Sequence, residues 1–147
     1  MLASPPNYTP TEFRPLTTHT VRTIQAFDSP DYSSGFNLNA RAFALIQDFK
    51  SLKKNWDGEG ALPPDTGALR KAETLTRTLQ GFGQKIFHVA PGPNGEIMID
   101  LRANGNSVEI LFYPKETRFV KFPANGMPEQ GEFSDLTMLQ ILAWLNG

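Results

Sequence analysis

The chain has 147 residues, enough for one domain with a flanking segment, and its 39% hydrophobic content, including eleven phenylalanines, can build a modest core. A formal net charge of −1 leaves no basic excess to neutralise phosphates, which argues against nucleic-acid binding. The absence of cysteine excludes disulfides, thiolate metal ligation and thiol nucleophiles. With no apolar run of membrane-spanning length and no secretory pattern, the expectation is a cytoplasmic protein that meets no membrane.

Residues 1–37 carry Pro5, Pro6, Pro10, Pro15 and Pro30 among many Ser and Thr, with few periodic apolar positions. This composition predicts an extended or partly disordered arm, with room for a helical turn over Thr20–Phe27. A single α+β domain is expected over residues 38–147.

Its first helix is predicted from Asn39 to about Lys54. Phe43, Ile46, Phe49 and Leu52, widened by Ala42 and Leu45, form one apolar face. Lys50, Lys53 and Lys54 fall where cations complement the helix dipole. After a loop, Asp65 or Thr66 is placed to cap a second helix with the stripe Ala68/Leu69, Ala72, Leu75 and Leu79, stopped by Gly81 and Gly83. The two helices read as a hairpin.

From Lys85 the apolar period falls to two. Four strands are predicted at Ile86–Ala90, Glu96–Leu101, Ser107–Tyr113 and Arg118–Phe122, joined by turn-like stretches including Asn104-Gly105. Val108, Ile110 and Phe112 face the core, and Val120 and Phe122 are grouped on one face of the fourth strand. Residues 123–133 read as a loop. A last helix follows a cap at Ser134 or Asp135, with Leu136, Leu139, Leu142 and Leu145 as its apolar stripe. The fold class expected is α+β: a helical hairpin and a C-terminal helix packed on a four-stranded, mostly antiparallel sheet, a meander.

The densest group of special-purpose residues is the loop Asn55 to Pro64. Asn55, Asp57 and Glu59 alternate ahead of Gly60, imitating the start of a calcium loop, but Thr66 stands where the closing glutamate belongs. Asp57 and Glu59 lack a third acid that would make them a hydrolytic site. The favoured reading is structural: Asn55, Gly58, Gly60 and Pro63 shape the loop, and Trp56 plugs the core. The competing reading has Trp56, Asp57 and Glu59 bind a ligand or cation. His19 and His88 have no visible nucleophile partner. Met98, Leu111, Tyr113 and Phe119 are expected on the sheet face opposite the core, as an apolar strip that is either covered by the arm or the last helix or offered to a partner. No catalytic residue, metal site or cofactor is assigned.

The run Leu-Lys-Lys-Asn-Trp-Asp-Gly-Glu-Gly-Ala-Leu-Pro (residues 52–63), the helix after it, and Pro-Gly-Pro-Asn-Gly-Glu-Ile-Met-Ile-Asp-Leu (residues 91–101) together resemble a family of small bacterial proteins of unknown function. That family's pattern is Asn-Trp-Asp-Gly-x-Gly-Ala-x-Pro, a helix, then Pro-x-Pro-Asp/Asn-Gly-x-Ile before a strand. Leu101 stands where the family often has Trp. The resemblance covers about residues 42–122. It implies a bacterial origin and that Trp56, Asp57, Gly58 and Gly60 are a shared feature, whether hinge, plug or binding site, and it implies no activity.

With no coherent active site, the balance is against an enzyme. The leading expectation is a non-enzymatic interaction protein that masks or scaffolds a protein partner, as antitoxins, immunity proteins and inhibitors do. The alternatives are a small-ligand or cation binder or hydrolase built on the Trp56–Glu59 loop, and a structural subunit of a larger assembly.

Overall fold

The computed structural model describes residues 38–147. The arm expected over residues 1–37 lies outside that range. The elements run α1 (Ala40–Phe49), α2 (Thr66–Gly81), β1 (His88–Pro91), β2 (Ile97–Ala103), β3 (Asn106–Phe112), β4 (Thr117–Phe122), β5 (Glu129–Glu132) and α3 (Asp135–Asn146). The sheet has five strands, all antiparallel and in chain order. The α+β class holds, with five strands rather than four. β5 lies inside the stretch read as a loop, because Glu-Gln-Gly-Glu has no apolar alternation to announce an exposed edge strand.

All three helices pack on one face of the sheet, and α1 also packs on α2. The core between them holds Ile46 and Leu79 from the helices and Leu145 from α3. Ile97, Ile99, Leu101, Val108 and Ile110 meet them from the central strands. Each of these side chains is almost fully buried, and such burial stabilises a fold by roughly 1.5–3 kcal/mol per side chain.

Three local devices set the helix ends. Asp65 caps α2 by accepting from Ala68 N–H at 2.9 Å. At the other end, Gln84 N–H reaches Leu79 O and Gly83 N–H reaches Gln80 O, a Schellman stop with Gly83 at φ +74°. Ser134 and Thr137 form a reciprocal capping box at the start of α3. α1 is shorter than its apolar stripe predicts. After Phe49 the amides of Lys50, Ser51 and Leu52 bond only three residues back, and Asn55 turns the chain at φ +66°. Lys53 and Lys54 therefore lie beyond the helix. Lys50 instead pairs with Glu73 of α2 at 2.7 Å, a bond that holds the Glu73 carboxyl below the usual range.

Two faces differ from expectation. Leu136 and Leu139 are 65% and 50% exposed, whereas Met138, Ile141 and Leu145 are buried. α3 is apolar almost all round, so periodicity alone could not choose its inner face. In β4, Phe119 and not Val120 faces the helices. The Tyr113–Glu116 turn sets Phe112 opposite Thr117, which places Phe119 beside core residue Ile110. Gly131 on β5 leaves room for the ring: a Cβ there would sit 3.0 Å from it. Lys121, also on the covered face, carries its ammonium over the Trp144 ring at 4.8 Å.

Candidate functional site

The Trp56 loop is internally satisfied. Asn55 N–H donates to Ala61 O, and Asn55 Oδ1 accepts from Gly60 N–H. Asp57 Oδ1 accepts from Glu59 N–H at 2.8 Å and from Ala61 N–H at 3.0 Å. The half-buried Trp56 donates its indole N–H to Leu62 O at 2.8 Å. Gly58 and Gly60 hold φ of +79° and +88°, positions where a side chain would be strained. The loop then bonds to the turn before β2: Leu62 N–H reaches Pro93 O, and Asp65 N–H reaches Gly95 O. The two halves of the motif pattern, about thirty residues apart, thus meet as one joint. Pro63 belongs to it, its carbonyl lying 3.4 Å from where a Gly95 Cβ would stand. Asp57 spends an oxygen on the backbone, and Glu59 is exposed.

The other sheet face is covered by no helix among the described residues. Strand register arranges it in rows. Ala90, Met98, Leu111, Arg118 and Glu132 form one row; His88, Asp100, Glu109, Val120 and Gln130 form the next; Arg102, Ser107 and Phe122 follow. Met98, Leu111 and Tyr113 stand on this face and are half-exposed, as expected from alternation. Phe119 does not. Its place is taken by Val120 and Phe122.

The centre of this face holds a group that no sequence motif marks. Asp100 is only 4% exposed, and Glu109 lies directly opposite it across β2 and β3. Arg102 grips one Asp100 oxygen, Oδ2, from Nε at 3.2 Å and Nη2 at 3.0 Å, and its guanidinium stacks 3.8 Å above the Phe87 ring. Asp100 Oδ1 is buried with no hydrogen-bond partner. Burial raises the Asp100 carboxyl above its usual range against the pull of Arg102. Glu109 is pushed up to about 7, first by burial and then by the Asp100 charge. Burial, aided by Arg102, holds the His88 imidazole below its usual range. The signal was present in the sequence. Asn104 and Gly105 both take positive φ, 56° and 81°, in a two-residue turn, which sets Ala103 opposite Asn106 and therefore Asp100 opposite Glu109.

Among the described residues no cluster of His, Asp or Glu has the geometry to hold a metal ion, and no helix is long and apolar enough to cross a membrane. On the helical side, an open groove of about 300 Å³ separates α2 from α3, with Phe112, Thr117 and Phe133 in its lining and Lys71 and Asp135 at its rim. It holds no histidine and no paired carboxylates. No family model matches this sequence, and no curated protein or solved structure is significantly similar to it. The resemblance to small bacterial proteins rests on the motif residues alone.

Proposed function

We propose that this chain is a non-enzymatic protein-binding module, acting in the bacterial cytoplasm by docking a protein partner on the open face of its sheet. Masking or scaffolding of that partner, in the manner of an antitoxin, immunity protein or inhibitor, is the mode of action this reading favours. The observation that carries it is the asymmetry of the sheet. One face is closed by three helices, while the other presents Met98, Leu111, Tyr113, Val120 and Phe122 around charged residues. Met98, Tyr113 and Phe122 with Arg102 and Arg118 among them are residue types that protein interfaces favour. The rival site at Trp56–Glu59 has less to offer a ligand, because the indole N–H and an Asp57 oxygen are committed to the loop's own backbone.

A photo-crosslinking residue at Leu111, with the same probe at the exposed Lys71 of α2 as control, tests this in native lysate. The expected result is one discrete adduct from position 111 and none from 71. The purified partner should then bind the unmodified chain and lose at least about tenfold in affinity to Leu111→Glu, as a buried interface anchor does. Equal labelling from both positions, or binding indifferent to Leu111→Glu, overturns the reading.

A further inference from the structure

Resting on that docking face, the geometry points to a defined subsite at its centre: the Asp100–Glu109 carboxylate pair receives an arginine side chain presented by the protein partner. Like charges directly opposite on neighbouring strands destabilise a sheet, and a buried carboxylate oxygen without a donor costs more still. Among the described residues the pair is relieved only in part. Arg102 serves only Oδ2 and is held over Phe87; Arg118 lies in the next row and approaches Glu116 at 3.7 Å. His88, facing Asp100 from β1, is held toward its neutral form. Among the described residues Glu109 makes no hydrogen bond or ion pair.

Two carboxylates on adjacent strands match the planar donor fork of a guanidinium better than the point charge of an ammonium. Met98, Leu111 and Val120, in the same and the neighbouring row, offer apolar surface to the aliphatic stem of such a side chain. Oδ1 is shielded from water, so the incoming cation meets Glu109 first. Desolvating the arginine and both acids together turns a local cost into a selective contact, since a neutral residue at that point would leave the pair unrelieved.

The test uses the full-length protein and N-acetyl-arginine amide as the probe, with N-acetyl-lysine amide and the uncharged citrulline analogue alongside. Side-chain carboxyl carbons of Asp100 and Glu109 are followed by NMR across pH. The arginine probe should move both resonances and draw the Glu109 midpoint downward from about 7. The lysine probe should do so less and the citrulline analogue not at all. Glu109→Gln should abolish the response at Asp100, and Asp100→Asn should weaken the response at Glu109. Affinity of a lone amino acid is expected to be roughly millimolar or weaker. An unmoved midpoint under saturating arginine probe, or an equal effect from citrulline, overturns the subsite; the two acids then simply share a proton. The outcome is separable from that of the crosslinking experiment. A partner captured at Leu111 whose binding ignores Glu109→Gln removes the subsite and leaves the docking face. A probe response without any partner does the reverse.

Discussion

The Trp56 loop and the Asp100–Glu109 pair make opposite use of similar side chains. In the loop, a carboxylate, an amide and an indole are each bonded to nearby backbone, and two glycines supply the conformations that let them reach. On the open sheet face, two carboxylates are brought together by register, and one oxygen is left with nothing. A conspicuous run of residues thus turns out to be a joint. An inconspicuous pair, nine positions apart, holds the unresolved electrostatics. Unusual composition marks unusual backbone; uncompensated chemistry is visible only once strands are paired.

Trp56→Ala should have the largest effect. It removes a half-buried ring and leaves Leu62 O without its donor, at a cost of about 2–4 kcal/mol in chemical unfolding. A loss below about 1 kcal/mol would show that the loop is not the joint described. The Glu109 carboxyl gives the next effect, of opposite character. Its folded pKa of about 7 lies above its ordinary 4.5, so the folded state holds its proton longer. Its contribution to stability is complete below about 4.5, falls as pH rises, and is gone above about 7. After allowance for solvent screening the change is on the order of 2 kcal/mol, and Glu109→Gln should flatten the stability profile in that window. An unchanged slope in the variant would assign the pH dependence elsewhere. Asp57→Ala should cost about 1 kcal/mol by stranding the Glu59 and Ala61 amides, with Asp57→Asn recovering most of it through the remaining acceptor. Glu59→Ala, on an exposed side chain, should stay within about 0.5 kcal/mol. If Glu59 instead proved as costly as Asp57, the two acids would be acting together after all.

The sequence announces what burial makes periodic. The stripe of α2 and the alternation of β2 and β3 are one-sided patterns, and both place the core correctly. It is silent where both faces are apolar, as in α3, or where neither is, as in Glu129–Glu132. β4 is the instructive failure. Phe119, Val120 and Phe122 offer apolar residues to both faces, and only the preceding turn, through Phe112 and Thr117, decides between them. The same is true of the candidate site. Met98, Leu111 and Tyr113 follow from alternation, but Asp100 and Glu109 become neighbours only when the Asn104-Gly105 turn is used to count register across the hairpin.

Gln84, just past the end of α2, joins distant parts of the chain. Its backbone carbonyl accepts from the buried Asn39 side chain at 2.8 Å, and its own amide oxygen accepts from Asn146 at 2.8 Å. The residues that open α1 and close α3 therefore stand side by side, pinned to one amino acid. Like a clasp on a bracelet, this one residue draws the described body into a nearly closed ring, so that loosening it would free the first helix and the last at a single point.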